Sequence, residues 1–157
     1  MATHKSSLSD APASPLVNDL KAFYNNAGAA TMDIIDRIYT QDVEFRDPVH
    51  TIHGRLGLKN YLRNLYTSAS SVHFDYQDEQ ISANSASITW LMTYSHPKLN
   101  GGKPVDVRGI STLRFTDKIY YHEDFYDMGA MVYQHVPVLG AVVRHINQRL
   151  AATPPAP

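Results

Sequence analysis

From residue 15 onward the apolar positions recur every three or four residues, at Leu16, Leu20, Phe23 and Tyr24. Ser14 and Pro15 stand ahead of them as cap and first helical residue, and Gly28 stands behind. This spacing predicts a first helix. A second, shorter one follows, capped by Thr31 and carrying Ile34, Ile35 and Ile38. The period then drops to two: Val43 and Phe45 alternate with Glu44 and Arg46 until Pro48 withholds a backbone donor. Asp47 thereby falls at the end of a strand. Past an irregular turn holding His50 and His53, a third helix is marked by Leu58, Leu62, Leu65 and Tyr66 on one face.

Between Ser71 and Asp127 alternation takes over. Extended segments over 72–82, 86–96, 105–115 and 119–127 are separated by turns at Ala83-Asn84-Ser85, from Pro97 to Gly102 and at Thr116-Asp117-Lys118. Three helices followed by antiparallel hairpins predict an α+β fold with the helices on one face of the sheet. Pro137 opens a fourth helix, whose Leu139, Val142, Val143, Ile146 and Leu150 form a stripe opposite Arg144, Gln148 and Arg149. Each such side chain is worth about 1.5–3 kcal/mol when buried, so the stripe requires a cover. The protein's own sheet, a dimer partner, the mouth of a pocket or another protein would supply one; two arginines are too few for firm membrane anchoring. The small, polar and proline-rich ends, 1–14 and 151–157, are expected to be disordered, leaving a domain over 15–127 and a helical extension over 128–150.

Composition narrows the chemistry. At 157 residues the chain holds one domain, and its formal charge of -1 gives no basic field to gather nucleic acid. Zero cysteines exclude disulfides, thiolate metal sites and cysteine nucleophiles. The eight histidines show no metal-ligand spacing and the glycines form no phosphate loop, so neither metal nor cofactor is expected. There is no secretory signal and no apolar run long enough to span a membrane, which fits a cytoplasmic protein. Ten tyrosines among sixteen aromatic residues suit a pocket that is apolar in body and polar at its rim.

Two groups of residues stand out as candidates for chemistry. Asp47, at a strand end beside His50, reads either as an acid/base group or as a turn former capping loop amides before Pro48. Alternation over the last strand places Tyr120, His122, Asp124 and Tyr126 on one face, opposite Tyr121, Glu123 and Phe125. His122 and Asp124 on one face can share a proton near neutral pH, although a dimer interface has the same composition. Trp90 is in phase with Tyr94 and serves as pocket wall or core. Arg108 is in phase with Ile110, and a surface ion pair accounts for it as well as a site does.

The junction Tyr39 to Leu62, with its Asp47-Pro48-Val49, and the last two strands, with Arg108-Gly109-Ile110-Ser111 and Tyr120 to Asp127, resemble the nuclear transport factor 2-like superfamily, in its SnoaL-like branch. The resemblance implies a cone, a curved antiparallel sheet wrapped around the three N-terminal helices with a pocket at its wide end, and a homodimer through the convex sheet face. Ketosteroid isomerases of this superfamily carry an Asp-Pro-Val general base, which Asp47-Pro48-Val49 matches. Alignment backward from that base puts Phe23 where the isomerase keeps its oxyanion tyrosine, with Tyr24 one place off, and alignment on Arg114-Phe115 puts Ser111 at its protonated aspartic acid, so steroid isomerisation is not expected. In SnoaL-like cyclases an Asp two residues after a His faces the pocket as acid/base, the pattern of His122 and Asp124. Epoxide hydrolases of the superfamily use an Asp-Arg-Asp group, which here would need Asp47, Arg108 and Asp124 to converge. The resemblance thus implies a cofactor-free isomerase or cyclase acting on a small hydrophobic carbonyl compound, with a non-catalytic binding or interaction module as the alternative.

Overall fold

The computed structural model describes residues 14–152. The expected disorder over 1–14 and 151–157 therefore falls, apart from residues 14, 151 and 152, outside the described residues. Helix α1 (Pro15–Asn26) starts on Pro15 and buries Val17, Leu20, Phe23 and Tyr24. Thr31 is not the cap of a regular second helix. It sits at the third position of a 3-10 turn, where its Oγ1 accepts from the Gly28 amide at 2.8 Å, and only the single turn α2 (Ile35–Ile38) is α-helical.

Strand β1 (Tyr39–Arg46) runs to the Asp47-Pro48 turn, and the chain doubles back as a short strand β2 (Thr51–His53) that sequence alternation did not reveal. Helix α3 (Arg55–Ser68) follows at once and buries Leu58 and Leu62. The meander β3 (Ser71–Ile81), β4 (Ser85–Ser95), β5 (Val105–Phe115) and β6 (Ile119–Tyr126) completes a six-stranded sheet in the order β2-β1-β6-β5-β4-β3. The sheet is mixed: β1 lies parallel to β6, with Phe45 opposite His122, while every other pair is antiparallel. That one parallel contact joins the two ends of the domain and brings the Asp47 turn beside the last strand.

The helices pack on the inner face. Val17, Ile35, Ile38, Leu58 and Ile119 are all at most 1 % exposed and form the core between helices and sheet. A second cluster, Trp90, Met92, Tyr94, Val105 and Val107, extends the same face toward the open end. The outer face pairs Ile110 with Phe125 among charged neighbours such as Arg46, Glu44 and Arg114.

The tail differs from a single helix begun at Pro137. A turn of helix, α4 (Met128–Met131), and a 3-10 turn precede α5 (Leu139–Ala151), and Val138 before it holds φ 68°, a left-handed conformation costly for a β-branched residue. The α5 stripe covers neither the sheet nor the pocket. Leu139, Val142, Ile146 and Leu150 are 44–69 % exposed. Among the described residues no helix is long and apolar enough to cross a membrane.

Candidate functional site

Because β-strand side chains alternate, the inner face of β4 presents Trp90, Met92 and Tyr94, and that of β5 presents Gly109 and Ser111. Trp90 is paired with Gly109, and the indole lies over the glycine where any Cβ would stand. This leaves the indole Nε1 free to donate to Ser111 Oγ at 2.9 Å, and Ser111, having accepted that bond, donates to Asp124 Oδ1 at 2.5 Å. Asp124 and His122 come from β6. Tyr120, expected on their face, points outward: β6 carries one extra residue between the Phe115–Ile119 and Arg114–Tyr121 pairs, and this bulge resets the alternation.

His122 is 2 % exposed and bonded at both ring nitrogens. Nε2 lies 2.8 Å from Asp124 Oδ1, and Nδ1 lies 2.7 Å from the Tyr39 hydroxyl, which is 3.1 Å from that of Tyr24. These contacts form one chain, Tyr24–Tyr39–His122–Asp124, whose direction follows the imidazole tautomer: with the ring proton on Nε2, Tyr39 donates to Nδ1 and Nε2–H donates to the carboxylate. Burial raises the Tyr24 and Tyr39 phenols well above their ordinary value, so both keep their protons. Both known bonds of Asp124 fall on Oδ1. Oδ2 accepts none from the described residues, and the side chain lines the hollow between helices and sheet.

Asp47 reaches the same hollow from the end of the neighbouring strand β1, yet its oxygens are occupied. Oδ1 accepts from the amides of Val49 and His50 at 2.8 and 2.7 Å, and Oδ2 accepts from the Tyr61 hydroxyl at 2.5 Å. Turn former and pocket wall are thus one residue. His50, half-exposed, lies 3.1 Å from Asp47 and its ring sits 4.9 Å from that of Tyr61, at the mouth.

The hollow also has Tyr24, Trp90 and Tyr126 in its wall. Phe23 is not among them. It packs in the core and faces the groove between α1 and the 3-10 turn, because it lies about 100° around the helix from Tyr24. Arg108 is a second correction: odd-numbered positions of β5 face inward, so Arg108, with Ile110, lies exposed on the outer face and no Asp-Arg-Asp group assembles. Tyr94 has a different role, donating from its hydroxyl to the Met131 carbonyl and so fastening α4 over the open end. The cavity measures about 50 Å³, and a neighbouring one of about 150 Å³ shares Leu65, Met92 and Met131 with it. Sequence reasoning missed Tyr39, Tyr61 and Gly109. Tyr61 falls between Leu58 and Leu65 on the apolar arc of the third helix, which was a usable signal.

Burial also raises the phenols of Tyr61, Tyr66, Tyr76 and Tyr126 around the hollow, with the Asp124 carboxylate adding to each. Folded protein therefore holds these protons more tightly than unfolded chain. The resulting stabilisation is complete below the ordinary tyrosine value of 10.0 and is lost as pH rises beyond it. In an alkaline titration the tyrosinate absorbance of these residues should appear together with loss of circular dichroism; smooth ionisation of all ten tyrosines in an intact fold would contradict it.

A model of the SnoaL-like domain matches residues 20–122. No curated protein matches the sequence. Among solved structures, the chain is similar to a hypothetical protein with a ketosteroid isomerase-like fold from Catenulispora acidiphila, in complex with trimethylamine. The TM-score is 0.67 at 14 % identity, covering 78 % of this chain and 92 % of that one. It is similar also to a protein assigned as a polyketide cyclase from Acidithiobacillus ferrooxidans, with TM-score 0.65 at 17 % identity over 80 % and 99 % of the two chains. At such identities the likeness is one of fold.

Proposed function

The chain belongs to the SnoaL-like domain family, and we propose that it binds a small hydrophobic carbonyl compound in the hollow and moves a proton on it without a cofactor, as an isomerase or cyclase does. The observation that carries this reading is Asp124: oriented through Oδ1 by His122 and Ser111, it turns an uncommitted Oδ2 to an apolar cavity. Oδ2 takes the proton from the carbon beside the carbonyl, and the electron pair moves onto the carbonyl oxygen. The Tyr126 hydroxyl, without a hydrogen-bond partner among the described residues, is placed in the same wall to donate to that oxygen. Returning the proton at another carbon gives an isomerase; attack of the enolate carbon on a second carbonyl of the molecule, whose π electrons pass to its oxygen and take back the proton held by Asp124, gives a cyclase. Asp47, with both oxygens occupied, shapes the mouth.

The volume supports the second reading, a non-catalytic binding module. A cavity of about 150 Å³ holds one benzene, so a substrate of several rings must join the two cavities past the residues they share, of which Met131 is the flexible one on α4. The test is exchange of α-protons for deuterium in small ketones, followed by NMR, with the intact chain. Exchange above the buffer rate supports proton transfer; ligand-induced stabilisation without exchange leaves the binding module. Met131→Ala should speed exchange of bulky ketones more than of small ones. A homodimer through the outer face around Ile110 and Phe125 belongs to the same proposal, and sedimentation of the chain as a monomer at micromolar concentration would exclude it.

A further inference from the structure

The wall of the hollow has a chemical bias that proton transfer does not require. It is built largely of aromatic residues, among them Phe45, Tyr61, Tyr66, Phe74, Trp90 and Tyr126. Two carboxylates reach it, Asp47 and Asp124, and among the described residues no lysine or arginine lines it. The neighbouring cations are committed elsewhere: Arg46 pairs with Glu44 at 2.5 Å on the outer face, and Lys21 with Glu79 of β3 at 2.7 Å. The buried histidine does not open onto the space either: it is held between the Tyr39 hydroxyl at 2.7 Å and Asp124 Oδ1 at 2.8 Å. Tyr61 and Tyr126 lie within the field of both carboxylates, whose charges add to burial in raising each phenol, so the two acids flank one space.

A cation in that space has aromatic rings and two carboxylates to attract it in a setting of low polarity. An anion is repelled by the same groups, and a neutral ligand gains only burial. We infer that the ligand of this hollow carries an alkylammonium group, seated against Tyr61, Tyr126 and Trp90 between Asp47 and Asp124. The inference rests on the hollow being the ligand site proposed above and adds a substrate class to it: a carbonyl compound with a cationic amino group, whose charge is fixed in the cage while the carbon to be deprotonated faces Asp124 Oδ2.

The test compares choline with its uncharged carbon isostere, in which a tert-butyl group replaces the trimethylammonium, by titration calorimetry on the intact chain at low ionic strength. Choline should bind about tenfold more tightly or better, the increment expected of a desolvated cation–π and ion-pair contact. Asp47→Asn keeps an acceptor for the Val49 and His50 amides, and Asp124→Asn keeps one for Ser111 and His122. Each should lower choline affinity by about tenfold and the isostere's far less; Asp47→Asn also costs the Tyr61 hydroxyl its acceptor, so Asp124→Asn is the variant in which the charge alone is lost. Equal affinity for the two probes, preference for the isostere, or binding of neither overturns the inference, and the wild-type comparison alone decides it if a variant fails to fold. Deuterium exchange without preference for choline would leave the proton-transfer reading standing and remove only the cation; preference for choline without exchange would do the reverse.

Discussion

Asp124→Asn is expected to leave the protein folded and to lower α-proton exchange by about 100- to 10,000-fold, the range that a positioned acid/base group contributes. Asparagine keeps an oxygen at the Oδ1 position, so Ser111 and Nε2–H of His122 both retain their acceptor. What changes is the other atom. An amide nitrogen replaces Oδ2 in the hollow, and it has no lone pair with which to take a proton. Melting by circular dichroism reports the first half of the expectation and deuterium exchange the second. A variant that exchanges as fast as wild type would remove Asp124 from the chemistry, and one that unfolds would show the carboxylate to be a structural charge. His122→Phe is expected to act differently, lowering stability first, since it strips the Tyr39 hydroxyl of its acceptor at a fully buried position.

Gly109→Ala is expected to be among the most damaging single-atom additions to this protein. A Cβ there would stand 2.1 Å from Cη2 and 2.4 Å from Cζ2 of Trp90, closer than any packed pair of atoms. The indole must move, and what lies before it is the hollow it lines. Moving costs the Nε1–Ser111 bond and with it the order of the Ser111–Asp124 link. Overpacking of this kind costs about 1–3 kcal/mol, and for a chain of this size each kcal/mol lowers the melting temperature by about 2–4 °C. As Trp90 is the sole tryptophan, its fluorescence reports the displacement directly. Adding Trp90→Phe to Gly109→Ala should recover part of the lost stability, because the two changes act on one contact. Unaltered emission and melting in Gly109→Ala would show that the indole has room that the geometry denies it.

Much of the scaffold was readable before any coordinates. Helices one and three, four long strands and the strand-end placement of Asp47 follow from periodicity and from proline, because burial of one face repeats at the period of the element. Local exceptions were not readable. One extra residue in β6 reverses Tyr120 relative to His122, and nothing in the pattern Ile119-Tyr120-Tyr121-His122 marks which residue is extra. Strand β2 was hidden because three residues are too few for a period, and it forms because the Asp47 turn, with the Asp47 amide donating to the His50 carbonyl at 3.0 Å, sends the chain back along β1. The parity of β5 could have been read: Arg108 shares its face with Ile110, and Ser111 shares the other with Val107 and Leu113, so Arg108 and Ser111 were never candidates for one hollow.

What the sequence by itself determined is the class of the fold, the order of its elements and the kinds of group available for chemistry: carboxylates, imidazoles and phenols, with no thiol. Which of these groups meet was decided only by the tertiary structure. Tyr39 and His122 are 83 positions apart and are joined at 2.7 Å because β1 lies against β6. Asp47 and Asp124 share a hollow for the same reason, and Oδ2 of Asp124 alone stays uncommitted because donors from three other elements saturate the rest. Periodicity records the burial of each residue against its own element's neighbours; it carries no record of which distant strand supplies them.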